Sequence, residues 1–160
     1  TFFNVLGPLI SPVRPNYQCL GVYNLKMMRL YNYIYQNLGV QYSVVHSLDG
    51  YDEISLTDTT KIMTNAGEFV FTPEELGFQR LKQEDLWGGN TIDEAATIFM
   101  NVLENKATEA QKNAVIINSA VAIQTRMPLK SIKQCIEEAE HSLEAGYAKN
   151  VFGKFVEIYR

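Results

Sequence analysis

The sequence predicts an α/β fold: a partial, mainly parallel sheet with flanking helices and a helical C-terminal half. Three observations carry this. A strand, a helix and a strand follow one another over residues 18–47 with tight connections. A hairpin pattern comes next, over residues 60–72. From Thr91 onward, apolar residues recur at helical spacing almost to the end. The chain has 160 residues, of which 46% are hydrophobic, so one domain with a sizeable core is within reach and disorder is not.

Taken in order, residues 7–16 hold three of the five prolines, Pro8, Pro12 and Pro15. Proline removes a donor and fixes φ, so this stretch is a shaped loop. Gln18 to Tyr23 alternates and reads as a strand. Leu25, Met28, Leu30, Tyr31, Ile34 and Leu38 mark one helix, and Gly39 suits its C-terminal stop. Residues 40–47, VQYSVVHS, form the next strand. Two strands joined through one helix imply a parallel crossover. TKIMTNAGEFVFT reads as a hairpin turning at Asn65-Ala66-Gly67. Thr72-Pro73-Glu74-Glu75 has the chemistry of a helix start, and Gly77 keeps that helix short. Residues 86–90, LWGGN, are a loop. Thr91 with Glu94 is a capping-box pattern for a helix over 91–104. A second helix is predicted over 108–125, apolar nearly all round and therefore central. Pro128 is read as opening a third, with Ile132, Ile136, Ala139 and Leu143 on one face. Gly146 then separates a last short helix.

Charge and composition narrow the function classes. The net charge is −4 and the pI about 5.2, without a Lys/Arg cluster, which argues against a nucleic-acid surface. No apolar run reaches membrane-spanning length. Cys19 and Cys135 lack metal-ligand or disulfide spacing and read as small buried hydrophobes in a reducing, cytoplasmic setting. The opening TFFNVLGPLI has neither the basic region nor the cleavage site of a signal peptide, and it starts without Met. It reads as the middle of a longer protein.

One stretch raises a chemical question. In HSLDGYDEISL, residues 46–56, Asp52 and Glu53 stand side by side in a Gly-containing loop where the second strand ends. Two carboxylates about 5 Å apart repel by roughly 3 kcal/mol at an effective dielectric of about 20. Full solvation relieves that, and so does a bound cation. Ligands of open α/β sheets bind beyond the carboxyl ends of strands, and Mg²⁺ commonly takes one or two carboxylates. The residues alone leave both readings open, with the solvated loop the commoner one. Other candidates have bland readings. His46 packs or caps at a strand end. His141 is solvated on a charged helix face. Asn118 is a satisfied core amide. Tyr31, Tyr33 and Tyr35 serve helix packing. WGGN could offer N–H groups to a phosphate, but a plain turn is the simpler reading. No Ser/His/Asp or Cys/His set can be assembled, so no catalytic nucleophile is assigned.

Several quoted stretches together resemble one family. FFNVLGPLISPVRP, QCLGVYN, VVHSLDGYDEISL, LWGGN and NAVIINSAVAI occur here in the order and spacing of the C-terminal half of anthranilate phosphoribosyltransferases. Ser11 and Ala95 depart from the family pattern, which usually has Asn in the GPL loop and often an Asn-Ala pair after the GG element. The resemblance implies a fragment of the large α/β domain of a two-domain enzyme. Residues 1–160 would be the C-terminal part of that domain, with the helical N-terminal domain and the Gly-rich pyrophosphate loop outside this chain. It implies transfer of a phosphoribosyl group from phosphoribosyl pyrophosphate to anthranilate, releasing pyrophosphate, in tryptophan biosynthesis. It implies Mg²⁺ on the pyrophosphate as cofactor, held by Asp52 and Glu53. It also implies a cytoplasmic enzyme that is a homodimer at full length, with no nucleic-acid or membrane partner, and a fragment inactive alone. The rivals are a pyrimidine nucleoside phosphorylase-like enzyme and a non-enzymatic nucleic-acid-binding relative.

Overall fold

The computed structural model describes residues 5–10 and 12–159. Ser11, the first departure from the family pattern, lies outside them. Strand β1 (Tyr17–Gly21) leads through helix α1 (Leu25–Leu38) to β2 (Gln41–Ser47), and β1 pairs with β2 in parallel. Asn24 starts α1, its Oδ1 accepting the Met27 N–H at 2.9 Å, and Gly39 ends it at φ +66°. Strands β3 (Thr60–Thr64) and β4 (Gly67–Phe71) then form the hairpin, and both new pairings are antiparallel. The sheet order is β1-β2-β3-β4. The α/β class is as predicted, but the sheet is mixed, not mainly parallel. Only β1 and β2 are joined by a crossover helix. A two-residue turn joins β3 to β4, and such a turn permits only antiparallel pairing.

β2 is buried from Tyr42 to Ser47 and sorts its side chains by parity. Tyr42 and Val44 pack with Met28, Tyr31 and Tyr35 of α1 on one face. Val45 packs on the other face with Ile62, Ile54 and Leu56, and with Ile117 and Val121 of helix α3 (Glu109–Arg126). Helices therefore cover both faces of this strand. Helix α2 (Ile92–Leu103) precedes α3, and helices α4 (Ile132–Glu144) and α5 (Tyr147–Ile158) follow it. A third cluster, with Val102, Ile116, Ala120, Cys135, Ala139 and Leu143, joins α2, α3 and α4.

Local chemistry explains most boundaries. Thr91 caps α2 by accepting the Glu94 N–H, while the Glu94 carboxylate accepts the Asn90 N–H. Thr108 with Gln111 and Ser131 with Gln134 close capping boxes at α3 and α4. Four predictions need correction. Pro128 does not open α4, because the Ser131 box does so three residues later. The predicted helix at Thr72 is a single turn, stopped by Gly77 at φ +88°. Helix α3 is central but not buried all round, since Val115, Ala122 and Arg126 face outward along one edge. Cys135 is fully buried, whereas Cys19 is exposed on β1, at one edge of the described sheet. Partial burial of the Cys19 sulfur nonetheless pushes that thiol up, with Thr125 acting in the opposite direction. Among the described residues no helix is long and apolar enough to cross a membrane.

Candidate functional site

The loop between β2 and β3, residues 48–59, carries the acidic pair. It leaves the sheet beside the carboxyl end of β1, and the two meet at Gly21. A Cβ built on Gly21 would lie 1.5 Å from the Asp52 carbonyl oxygen and 2.6 Å from its carbon. Only a residue without a side chain lets β1 and the acidic loop approach this closely. One residue further along, the Val22 N–H donates to the Val45 carbonyl at 3.0 Å. His46 Nδ1 lies 2.8 Å from the Val22 carbonyl, which can only accept, so Nδ1 carries the proton. His46 is thus a buried strand residue held to β1 through Nδ1.

Ser47 is the hub of the loop. It is fully buried, and its hydroxyl donates to the Glu53 carbonyl at 2.7 Å while accepting the Ser55 N–H at 3.2 Å. Its only proton is committed to Glu53, so Thr60 Oγ1, 2.8 Å away, must be the donor in their contact. Asn118 reaches the loop from α3. Its Oδ1 accepts the Ile54 N–H at 3.0 Å, and its Nδ2 donates to the Ile54 carbonyl at 2.9 Å. Further along, Leu56 is buried with φ +61°, a conformation that costs a β-carbon residue roughly 1–2 kcal/mol. Its carbonyl accepts the Leu81 N–H at 2.9 Å. Asp58, near the loop's end, is held below the usual carboxylate range by the Thr59 N–H and then by Arg80.

Asp52 and Glu53 are thus displayed on a loop whose main chain is fixed by β1, β2 and α3. Both are exposed as residues. The Glu53 carboxyl is nonetheless pushed above its usual range, first by partial burial and then by the neighbouring Asp52 charge. Among the described residues no third His, Cys, Asp or Glu joins them in a group able to hold a metal. Two hard oxygen donors whose mutual repulsion a cation would relieve fit Mg²⁺, which fills its remaining positions with water and phosphate oxygens. They do not fit a closed, all-protein cage.

A 540 Å³ cleft opens beside Glu53, lined by Trp87, Gly88, Phe99, Val115 and Asn118 among others. In the adjoining WGGN loop, the Trp87 and Asn90 N–H groups already donate to Glu84 and Glu94. That favours the plain-turn reading of this loop. A smaller 160 Å³ cavity, lined by Gln41, Ser43, Thr64 and Phe71, lies at the opposite end of β2 and has no acid in it. His141 is exposed beside Tyr147, at 5.7 Å between ring centroids. The sequence pointed to the acids but not to what holds them. Gly21 meets Asp52 from a different strand, and Asn118 meets Ile54 across 64 residues of chain. No local pattern signals such a contact.

Comparison with known proteins gives the family. Residues 1–149 match the family model described as glycosyl transferase family, a/b domain. Over 158 residues the chain is 56% identical to the anthranilate phosphoribosyltransferase of Bacteroides fragilis (strain YCH46), covering 99% of this chain and 48% of that protein. Identity to the enzyme of that name from Cytophaga hutchinsonii is 45%, again over 48% of its length. The chain spans about half the length of the curated relatives it matches. The crystal structure of anthranilate phosphoribosyltransferase from Thermus thermophilus superimposes with a TM-score of 0.87 at 27% identity, over 98% of this chain and 47% of that one. The Saccharomyces cerevisiae enzyme in complex with PRPP and Mg gives 0.84 at 25% identity, over 98% and 45%. The family resemblance read in the sequence is therefore borne out, and the chain belongs to the glycosyl transferase family as its α/β domain.

Proposed function

We propose that the protein of which this chain is part transfers the phosphoribosyl group of phosphoribosyl pyrophosphate to anthranilate and releases pyrophosphate, a step of tryptophan biosynthesis. The carrying observation is the Asp52–Glu53 pair, displayed beyond the carboxyl ends of two parallel strands on a loop fixed from three elements. The name shared by the relatives, and the yeast relative's complex with PRPP and Mg, support the same reading. Asp52 and Glu53 are the residues that would hold Mg²⁺. When bound there, the ion neutralises charge developing on the leaving pyrophosphate. The chain's own part is to hold two adjacent carboxylates on a loop whose main chain is fixed. The attacking arylamine is already neutral at pH 7, so no residue of this chain needs to act as nucleophile. The Gly-rich pyrophosphate loop and the helical domain that the family reading implies lie outside residues 1–160, and in this reading the chain alone is inactive. A cytoplasmic homodimer belongs to the same reading.

The test is loss of anthranilate fluorescence in the full-length protein with phosphoribosyl pyrophosphate and Mg²⁺. Asp52→Asn and Glu53→Gln should each cut turnover by about 100-fold. Turnover that survives in both variants would return the pair to a solvated loop. A folded wild type that consumes no anthranilate would overturn the reaction itself.

A further inference from the structure

We propose that Asn118 is a positioning residue for the acidic pair: it fixes the peptide that follows Glu53, and so the direction in which Glu53 presents its carboxylate to a divalent cation. This rests on the metal reading above.

A side chain's direction from the main chain is set by the two peptides that flank its Cα. The peptide before Glu53 contains the Asp52 carbonyl, and this group is seated against Gly21 with no room for a methyl group. The peptide after Glu53 contains the Glu53 carbonyl and the Ile54 N–H. Its oxygen accepts from Ser47 Oγ at 2.7 Å, and its N–H donates to Asn118 Oδ1 at 3.0 Å. That plane is therefore held at both edges by buried or half-buried side chains. Asn118 also donates to the Ile54 carbonyl at 2.9 Å, which extends the hold to the next peptide. Its second amide proton goes to the Ala114 carbonyl one helical turn back, also at 2.9 Å. This last bond locks the Asn118 rotamer, so the loop inherits the rigidity of α3. Both of its Nδ2 protons and one Oδ1 lone pair are spent on main chain, so although Asn118 lines the cleft beside Glu53 its part in this reading is to act through Glu53.

The chemistry requires an amide. A serine is too short to span from α3 to both groups of Ile54. An aspartate would set a carboxylate oxygen against the carbonyls of Ile54 and Ala114. Residues that orient metal ligands commonly change metal affinity by about 10–100-fold when removed.

The experiment uses the full-length protein and two probes. The first is Mn²⁺ binding in the presence of inorganic pyrophosphate, read as free Mn²⁺ by electron paramagnetic resonance. The second is the Mg²⁺ concentration for half-maximal turnover, a ratio that does not depend on how much of a sample is folded. Asn118→Ala and Asn118→Ser should raise both by about 10-fold. Turnover at saturating Mg²⁺ should recover to within about threefold of wild type, since the carboxylates themselves are intact. Folded variants whose Mn²⁺ affinity and Mg²⁺ dependence stay within about twofold of wild type would overturn the proposal. So would failure of both variants to fold, which would assign Asn118 to the fold alone. Glu53→Gln, run alongside, separates the two levels. An unchanged Mn²⁺ affinity in that variant would defeat the metal reading itself, whatever Asn118 does.

Discussion

Two asparagines do the same chemistry at opposite ends of β2. Asn65, in the β3–β4 turn, accepts the Tyr42 N–H at 2.9 Å and donates to the Val40 carbonyl at 2.8 Å. Asn118, on α3, accepts and donates to the two main-chain groups of Ile54. Each replaces a missing stretch of backbone pairing with a side-chain amide. Their surroundings differ. Asn65 is exposed and bridges strands already joined, since Ser43 to Ser47 pair residue by residue with Thr64 to Thr60. Asn118 ties a helix to a loop 64 residues away, where no ladder runs alongside. The first bond set is redundant with the sheet, and the second is the loop's own support. Equal hydrogen bonds therefore have unequal consequences, set by what else would hold the same atoms if they were lost.

The largest effect that would break this picture is expected at Gly21. The atoms a methyl group would meet are main chain, and they cannot swing aside as a flexible side chain could. Gly21→Ala must either part β1 from the acidic loop or shift the loop as a body. Overpacking against fixed neighbours puts the loss at about 3 kcal/mol. Urea unfolding measures it, and a stability within about 0.5 kcal/mol of wild type would mean the close approach is not a constraint.

Ser47 comes next, because its hydroxyl has three partners within the loop and its neighbours. Ser47→Ala leaves the Glu53 carbonyl, the Ser55 N–H and the Thr60 hydroxyl each short of one partner in a buried setting. Desolvation without compensation predicts a loss of about 2 kcal/mol by the same unfolding measurement. If water enters and satisfies these groups the loss shrinks toward about 0.5 kcal/mol, and the loop is then softer than its bonding implies.

How much of this was legible in the sequence depends on the range of the contact. The β1–α1–β2 unit, the hairpin and helices α2 and α3 follow from periodicity and capping within a few residues of each boundary, as Asn24, Gly39, Thr91 and Thr108 show. Pro128 misled because proline suits a helix start, but Ser131 with Gln134 offers a better one nearby. Thr72 misled for a related reason: the cap is real, yet Gly77 leaves too few residues for a helix. The apolar neighbours of Cys19 in the sequence suggest a core position, but in a strand neighbours point to opposite faces. At the site, Asp52 and Glu53 were legible as a pair. Gly21, Ser47 and Asn118 were not, because each is defined by the main chain it meets in three dimensions.

The smallest predicted effect is the one that sharpens the comparison most. Asn65→Ala removes the same two kinds of bond as Asn118→Ala, one from a main-chain N–H and one to a carbonyl. The Asn65 side chain is exposed, so water can take over at the Val40 carbonyl and follow the lost amide toward the Tyr42 N–H, and the β2–β3 ladder still holds the strands in register. The loss of stability should be about 0.5–1 kcal/mol. Because Asn65 lies at the end of β2 away from the acids, the Mg²⁺ requirement of turnover in the full-length protein should not move. The two variants then separate a hydrogen bond's worth to the fold from its worth to the site. An Asn65→Ala protein whose Mg²⁺ requirement rises as much as that of Asn118→Ala would show that general loosening of the sheet is enough to disturb the acids. In that case the local clamp on Ile54 would not be what keeps the acids in place.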